Sequence, residues 1–336
     1  MSFEAQVVER KTLSILKVLS NSQEPLGATV IARRLRAHGF SLGERAVRYH
    51  LRLMDERGLT KFVGRRQGRL LTEQGIEEMK SALVQDKVGF AISRIEMLAF
   101  RTSFDLEKGC GLLPVNVSFY PKKKFAQALK AMQPAFEAQL CASDQVATAS
   151  EGERLGELPV PEGMIGLATV CSIAVNGSLL KAGVPMDSRF GGLLQIRNHQ
   201  PFRFAELIHY ASCSLDPTEI FIMAKMTQVG EVVRRGEGNI LANFREIPAL
   251  CRPVAEQVLT KLEEAGIGGV LIMGGTSEPV CEVSVEPNKI GIILLGGLNP
   301  VAAAQEAGIE AENRAMSTVM EYQDLIKFQE LGDRYL

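Results

Sequence analysis

The chain has 336 residues, of which 46% are hydrophobic and 23% are charged, a composition that excludes extensive disorder. Its length is more than one hydrophobic core usually serves, so we expect at least two domains. The formal net charge of −1 is unevenly distributed, because residues 1–80 contain fifteen Lys and Arg against nine Asp and Glu, a net of +6. This local excess predicts a nucleic-acid partner for the first segment alone.

The six cysteines and four histidines show no spacing typical of a metal or redox motif, so we expect no metal and reduced thiols. The first residues are polar and include acids, which is unlike a signal peptide. The most apolar run, residues 290–298, is about half the roughly 20 residues that a membrane-spanning helix needs. We therefore expect a cytoplasmic protein without a membrane segment.

Periodic apolar residues predict two helices, over about residues 6–19 and 29–37, followed by a third with two distinct faces. The segment Ser41–Glu44 has the S-x-x-E form of a capping box at the start of the third helix. Val47, Leu51 and Met54 then recur on one face, while arginines and a tyrosine fall on the opposite one. The third helix is thus predicted to pack by one face and to present a basic face outward.

Two short strands are predicted next, at residues 59–63 and 69–71, with an arginine-bearing turn over Gly64–Gly68. Three helices and a basic hairpin are typical of a winged helix-turn-helix, whose third helix enters the DNA major groove. Hairpin arginines would contact phosphates. RNA binding and a purely structural winged domain are the alternatives. The expected DNA-contacting residues are Ser41, Arg45, Arg48, Tyr49, Arg52, Arg65, Arg66 and Arg69.

Residues 73–99 continue with a helical pattern. A long helix leaving a winged domain serves either as a dimer strut, since DNA half-sites demand two-fold symmetry, or as a packing element of the next domain. We expect a homodimer that binds an inverted-repeat operator. The predicted organisation is a winged helix-turn-helix at 1–80, a helical connector at 81–106 and a mixed α/β, ligand-sensing domain at 107–336.

The C-terminal region mixes strand and helix patterns, which predicts an α/β fold. Strands are expected at 115–119, 165–175, 269–273, 280–285 and 290–295, and helices at 122–132, 204–210, 254–265 and 299–307. Asn176-Gly177 is expected to form a hairpin turn, and Pro134 to interrupt a helix. Residues 217–229 fit both a helix start at Asp216-Pro217 and a strand.

A group of polar residues between 165 and 217 predicts a site for a small carboxylate, which an arginine can bind with two hydrogen bonds. The candidates are Cys171, Ser172, Lys181, Ser188, Arg189, Ser212 and Cys213. A structural salt bridge at Arg189 is the alternative. Catalysis by Cys171 is disfavoured because no histidine lies nearby in sequence. The glycine pairs, including Gly296-Gly297, fit no nucleotide-binding motif and are expected to mark turns.

Several motifs resemble those of the nitrogen-responsive transcriptional repressors, the NrpR family. They are Asp86–Phe90, Thr169–Ser172, Val175–Gly177, Leu180–Pro185, Asp187–Leu194, Leu215–Pro217 and Gly296–Pro300. The resemblance implies a winged helix followed by regulatory domains, of which this chain shows one. It also implies a non-enzymatic repressor of nitrogen-assimilation genes that 2-oxoglutarate releases from DNA. The family pattern has Gly-Thr-Thr where this chain has Ser212-Cys213-Ser214, which puts the effector's identity or affinity in question.

Overall fold

The computed structural model describes residues 3–22, 24–37, 42–64, 67–81 and 89–335. They belong to two compact units, residues 1–88 and residues 89–336. The first unit contains α1 (Phe3–Ser20), α2 (Ala28–Ala37), α3 (Glu44–Glu56), β1 (Thr60–Gly64), β2 (Gly68–Leu71) and α4 (Glu73–Ser81). Three helices followed by a two-stranded hairpin confirm the predicted winged-helix order.

The core of the first unit is formed by the apolar faces of its helices, including Ile15, Ile31 and Leu51. The inner face of α3 is confirmed, since Val47, Leu51 and Met54 are buried there, joined by His50. The capping box is wrong as predicted: α3 begins at Glu44 with Gly43 as its N-cap, and no side chain caps the helix. Ser41 itself lies outside the described residues, as do Arg65 and Arg66 at the hairpin turn.

The second unit contains two five-stranded sheets whose neighbouring strands are antiparallel, in the orders β11-β12-β10-β8-β9 and β13-β3-β7-β4-β14. Its strands are β3 (Leu112–Pro121), β4 (Gln145–Ser150), β5 (Arg154–Leu155), β6 (Leu158–Pro159), β7 (Met164–Val170), β8 (Asp187–Arg197), β9 (Gln200–His209), β10 (Gly238–Pro248), β11 (Val270–Thr276), β12 (Lys289–Leu295), β13 (Glu312–Glu321) and β14 (Ile326–Lys327). Its helices are α5 (Phe90–Arg101), α6 (Phe125–Glu137), α7 (Ile173–Lys181), α8 (Pro217–Met223), α9 (Val229–Arg235), α10 (Arg252–Glu264), α11 (Asn299–Glu306) and α12 (Phe328–Tyr335).

The second unit is built from two similar halves. In each half a long central strand ends in proline and continues through a 3-10 turn into a helix, as β3 does into α6 and β10 into α10. Later in each half, one strand leads into a helix and then a further strand, as in β7-α7-β8 and β12-α11-β13. Each of these last strands joins the sheet of the opposite half, so β8 pairs with β10 and β13 with β3. This exchange ties the halves together.

Helix α5, which the sequence placed in a connector, packs within the second unit. Its buried residues Ala91, Ile95 and Leu98 belong to the larger core of that unit. Gly89 precedes the helix with a φ of 82°, a backbone conformation that glycine adopts without strain. Residues 90–101 therefore match the alternative in which this stretch packs on the next domain, and not a free dimer strut.

The predicted hairpin turn at Asn176-Gly177 is wrong, because both residues lie inside α7 and β7 ends at Val170. The Asn176 side chain is buried and hydrogen-bonded, and Gly177 lies so close to α5 that a Cβ atom would stand 2.3 Å from Thr102. Asparagine and glycine thus serve packing at this position, which the local pattern cannot distinguish from turn chemistry.

Three further expectations in this unit are wrong. Residues 204–210, expected as a helix, lie mostly in β9, because pairing with β8 overrides a helix-like spacing of apolar residues. Residues 280–285, expected as a strand, form only an isolated bridge around Cys281 and Glu282, both with positive φ. Pro134 does not interrupt α6, which continues to Glu137.

The other strands and helices predicted for this region are found with small shifts in their ends, and the ambiguous stretch after Asp216 opens as helix α8. Of the helices in the described ranges, none combines the length and the apolar character that crossing a membrane requires. Within those same ranges no cluster of His, Cys, Asp or Glu is suited to a metal ion.

Candidate nucleic-acid interface and ligand cleft

The outer face of α3 carries the cationic side chains that the sequence placed there. Arg45, Arg48 and Arg52 are exposed, as is Tyr49. Arg48 pairs with Glu44 and Arg52 with Glu56, each one helical turn away, and all of these side chains are solvent-accessible. Exposed pairs of this kind contribute at most about 1 kcal/mol, so the arginines can exchange them for phosphates or bases.

Arg69, expected to hold a phosphate, is engaged within the winged unit. Its Nε donates to Asp55 Oδ2 over 2.7 Å, and its side chain is only 20% exposed. Its guanidinium also lies 5.1 Å from the centre of the Phe62 ring. No local sequence pattern indicates this pairing, because Asp55 is on α3, fourteen residues earlier.

In the second unit a small cleft, partly open to solvent, lies where the two halves meet. Each half contributes the start of a helix, α7 after Cys171-Ser172 and α11 after Gly296-Gly297. The lining residues are Asn116, Cys171, Ser172, Ile173, Tyr210, Asp216, Thr218, Asn243, Arg245, Gly296, Gly297, Leu298 and Met316. Polar groups and two helix N-termini therefore line one cleft that is partly open to solvent.

Arg245, in the middle of β10, is the charged centre of this cleft and is 1% exposed. Its Nη1 donates to Ser188 Oγ over 2.6 Å and also to Asn176 Oδ1, and its Nη2 lies 3.3 Å from Ser172 Oγ. Its Nε has no partner. Burial lowers the pKa of Arg245, yet a guanidinium stays charged at any physiological pH.

A second group of polar residues lines the same cleft beside Arg245. Tyr210 donates its hydroxyl to Asn243 Oδ1, and Asn243 Nδ2 donates to Ser172 Oγ over 3.2 Å. Asp216 caps α8, because its Oδ1 accepts from the backbone N of Thr218 over 2.7 Å. Burial raises the pKa of Asp216, while Arg245 and the bonds to Thr218 oppose that rise.

Close backbone approach at Gly297 brings α11 to the cleft. A Cβ atom on Gly297 would stand 2.3 Å from the Val170 carbonyl and 2.8 Å from Asn116 Nδ2, so only glycine fits. On the other side of Asn116, the side chain accepts from the backbone N of Met316 over 3.0 Å. The expectation that this pair marks a turn is confirmed, since Gly296 accepts from the backbone N of Asn299 over 3.2 Å directly after β12. The same turn positions the N-terminus of α11 at the cleft.

The two halves differ at the position that Arg245 occupies in the second half. Asn116 and Asn243 stand equally far before the proline that ends each central strand, so Ser118 corresponds to Arg245. Arg245 is paired in register with Ser188, and Ser118 correspondingly with Asn313. Both Ser118 Oγ and Asn313 Oδ1 are buried without a partner. Only one half therefore supplies a cation, which makes the cleft chemically one-sided.

This arrangement suits a carboxylate. Among the described residues no carboxylate lies within ion-pair distance of Arg245; Asp216, which lines the same cleft, interacts with it at longer range, and burial raises the pKa of that acid. A buried charge without a counter-ion in direct contact is costly. An anion in the cleft would supply that counter-ion with charge-assisted hydrogen bonds. The N-termini of α7 and α11 add partial positive charge at the same place.

Three of the predicted ligand-binding residues are found at the cleft. Cys171 and Ser172 line it, and Ser188 accepts a hydrogen bond from Arg245. Burial raises the pKa of the Cys171 thiol to about 11, which disfavours the thiolate that a nucleophile needs. A thiol of that pKa is almost entirely protonated at neutral pH.

The structure places the other four elsewhere. Lys181 is exposed at the far end of α7, and Ser212 is exposed and donates to the His209 carbonyl. Cys213 is half-buried, with its thiol 3.6 Å from the Tyr210 carbonyl, and burial raises its pKa to about 11. Arg189 forms ion pairs with Asp187, Glu246 and Glu286. Arg189 thus matches the salt-bridge alternative.

Sequence reasoning missed most of the cleft. The missed residues are Asn116, Tyr210, Asp216, Thr218, Asn243, Arg245 and Met316. The available signal was a charged pair, Arg245-Glu246, near the end of a strand that neighbouring strands cover on both sides. Because Asn116 and Asn243 occupy corresponding positions in the two halves, finding Asn243 would also have identified Asn116.

Comparison with known proteins gives concordant results. A family model described as NrpR regulatory domains NRD1 and 2 matches residues 88–327, and one described as a ribonuclease R winged-helix domain matches residues 13–79. The global nitrogen regulator NrpRI of Methanosarcina mazei is 42% identical over 95% of this chain and 98% of that protein. The global nitrogen regulator NrpR of Methanococcus maripaludis is 31% identical over 94% of this chain, which spans 55% of that protein.

A solved structure is also similar to the chain. It is the crystal structure of a nitrogen repressor-like protein from Methanococcus jannaschii, with a TM-score of 0.61 and 26% identity. The match covers 72% of this chain and 99% of that one. The curated relatives are named as regulators, in agreement with the expectation that the chain is not an enzyme.

Proposed function

Because this chain belongs to the NrpR family of nitrogen regulators, we propose that it binds operator DNA through α3 as a repressor and is released by 2-oxoglutarate bound in the cleft. The observation that carries the proposal is the pair of unlike sites. One is an exposed cationic helix face in the first unit, and the other is a buried arginine in the second that forms no direct ion pair among the described residues. A regulator needs both kinds, one for a duplex and one for a small signal.

The outer face of α3 supports the DNA part. Arg45, Arg48 and Arg52 are exposed along one side of a helix whose opposite side is buried, the geometry that places a recognition helix in a major groove. Arginine reads guanine by two hydrogen bonds, and Tyr49 can contact sugar or phosphate. Arg33 and Arg36 on α2 and Lys61 on β1 are also exposed and add to the positive field.

The cleft supports the effector part. 2-Oxoglutarate has two carboxylates, of which one would pair with Arg245 and the other would meet a helix N-terminus or an amide such as Asn116 or Asn243. The effector must bind the DNA-free conformation more tightly than the DNA-bound one, since equal affinity for both would release nothing.

We further propose that two copies bind an inverted repeat, because a single helix reads only about half of an operator. RNA remains the competing nucleic-acid partner, since the first unit matches a winged-helix model named after a ribonuclease. Tighter binding to duplex DNA than to structured RNA would distinguish these two partners.

A mobility-shift titration tests this proposal. The probe is the duplex upstream of a glutamine synthetase gene, with a scrambled duplex and a hairpin RNA of equal length as competitors. We expect a complex containing two chains, at least tenfold preference for the inverted repeat, and release by 2-oxoglutarate but not by glutamine. Absence of a complex at low salt, or tighter binding to the RNA, would overturn the DNA part. A complex that 2-oxoglutarate leaves intact would overturn the effector part only.

A further inference from the structure

Helix α5 is the first helix of the second unit, and the chain arrives there from the winged unit through Gly89. Half-buried on this helix, Arg94 makes no ion pair among the described residues. Its guanidinium instead donates from Nε to the Met316 carbonyl and from Nη2 to the Ser317 carbonyl. An arginine that holds two successive carbonyls fixes the path of the backbone between them.

The segment that Arg94 holds is an irregular part of β13. The register of β13 with β3 shifts between Arg314 and Thr318, and Met316 has a φ of 48°, in the left-handed region that few residues other than glycine adopt. Such a conformation persists only where surrounding contacts enforce it. Residues 315–317, named here the β13 bulge, are therefore maintained by their partners.

The other partners of the β13 bulge belong to the cleft. Asn116, which lines the cleft, accepts from the backbone N of Met316 over 3.0 Å, and Met316 lines the cleft itself. Glu219 accepts from the backbone N of Ala315 and lies on α8, whose first residues Asp216 and Thr218 border the cleft. The β13 bulge is thus a wall with the cleft on one side and α5 on the other.

Helix α5 touches two further elements of the cleft. Thr102, at its C-terminal end, packs against Gly177 of α7, the helix whose N-terminus faces the cleft. At its N-terminal end, the backbone N of Ala91 lies 3.5 Å from the Cys213 carbonyl, in the loop that follows Tyr210. One helix, joined directly to the segment that leads from the winged unit, therefore contacts elements whose neighbouring residues, Ser172 and Tyr210, line the cleft.

We propose that Arg94 is the residue through which occupancy of the cleft acts on α5. A ligand that displaces Met316 or Asn116 changes the β13 bulge, and the two carbonyls carry that change to the guanidinium and so to the helix that leads toward the winged unit. Arg94 is in this account a positioning residue, since it does not line the cleft. The regulatory meaning rests on the proposed function, whereas the link from bulge to helix does not.

A double-mutant cycle on the full-length chain tests the link without any ligand. The variants are Asn116→Ala, Arg94→Lys and the pair, and the readout is amide hydrogen exchange in residues 90–101. We expect each single change to speed exchange in α5 by at least tenfold and the pair to add less than twofold, because both break one connection. Effects that multiply would overturn the proposal. Arg94→Gln replaces Arg94→Lys if thermal unfolding shows that the lysine variant does not fold.

A second arm adds 2-oxoglutarate, with binding followed by calorimetry on the same proteins. In the wild type we expect bound ligand to slow amide exchange in α5. In Arg94→Lys we expect the affinity for ligand to stay within threefold of wild type. The same variant should lose the protection of α5 and at least tenfold of the ligand's effect on DNA affinity. Arg101→Lys is the matched control, on the same helix but paired with Glu157 at 2.8 Å. Loss of coupling in the control as well, or full coupling in Arg94→Lys, would overturn the proposal. A flat calorimetric trace would sink the effector of the proposed function, while the cycle would still decide the link.

Discussion

The outer face of α3 and the cleft around Arg245 are built in opposite ways. The face comes from one stretch of thirteen residues, and its side chains are exposed and replaceable. The cleft draws on segments from Asn116 to Met316, and almost all of its polar groups are buried and bonded to one another. Function is therefore separable from folding on the face and inseparable from it in the cleft.

The largest effect expected from this contrast is on the face. Replacing Arg45 and Arg48 together by Ala should weaken binding to operator DNA by about 2–4 kcal/mol, since each lost base or phosphate contact costs roughly 1–3 kcal/mol. The free energy of unfolding should change by less than about 0.5 kcal/mol, because both side chains are exposed. Fluorescence anisotropy and urea unfolding measure the two.

Arg57→Ala is the matched control for that pair. Arg57 lies at the C-terminal end of α3 and pairs with Glu78. The substitution therefore removes a positive charge from the first unit at a position outside the proposed DNA contact. If this control weakens DNA binding as much as the pair does, a general field rather than the α3 face is responsible.

In the cleft, a single methyl group should affect folding and ligand binding together. Gly297→Ala places a Cβ atom against the Val170 carbonyl, so α11 must shift, at a cost of about 1–3 kcal/mol in unfolding free energy. The same shift should weaken 2-oxoglutarate binding by tenfold or more, as measured by calorimetry. Gly268→Ala is the control, since nothing lies within 4 Å of its added methyl group. A Gly297→Ala protein with wild-type stability would contradict the close packing described here.

The contrast also explains how much the sequence could reveal. The winged unit was predictable because its helices and hairpin depend on neighbours in sequence, and Val47, Leu51 and Met54 show their inward face by spacing alone. Arg69 was misjudged for the converse reason, since its partner Asp55 lies on another element. Local signals thus sufficed for the buried side of α3 and the exposure of its arginines, but not for its N-cap or for the pairing of Arg69.

In the second unit the local signals misled. Asn176-Gly177 has the chemistry of a turn, but both residues lie inside a helix. The Asn176 side chain accepts a hydrogen bond from Arg245, and Gly177 leaves room for Thr102 to pack against the helix. Arg189 was the predicted ligand because a distinctive motif flanks it, whereas Arg245 lies next to Glu246 and is no more prominent in the sequence than other charged residues. Which arginine is buried depends on strand order and on the exchange of β8 between halves, and neither is written in any one segment.

A pH dependence should distinguish the cleft wall from the α3 face. Burial, together with Asp216, raises the pKa of Glu219 to about 7 from 4.5, although the Ala315 N–H, Arg94 and Arg314 oppose the rise. The folded chain then binds this proton more tightly than the unfolded one, so the stabilisation is complete below pH 4.5 and is lost as the pH rises through about 7. Glu219→Gln should remove about 1–3 kcal/mol of that fall in urea unfolding free energy between pH 5 and 8.

The control for this titration is Glu231→Gln, an exposed carboxylate whose pKa is lowered by Arg234. It should leave the slope of stability against pH between 5 and 8 unchanged. A wild-type chain whose stability stays level over this range would show that Glu219 is already ionised when folded.

The smallest effect is expected at Arg69. Arg69→Met should lower the unfolding free energy by about 0.5–1.5 kcal/mol, because it removes a half-buried ion pair with Asp55, and should change DNA affinity by less than threefold. The measurements are urea unfolding and fluorescence anisotropy. A loss of DNA affinity as large as that of the Arg45 and Arg48 double variant would show that Arg69 contacts DNA.

The most direct test of the account is the release of DNA by 2-oxoglutarate from an Arg245→Lys protein, with Arg189→Lys as its matched control. We expect the Arg245 variant to bind operator DNA as the wild type does while needing at least fiftyfold more 2-oxoglutarate for half release, and the Arg189 variant to behave as wild type. Release of the Arg245 variant at the wild-type concentration would contradict the assignment of the buried guanidinium as the effector's counter-ion.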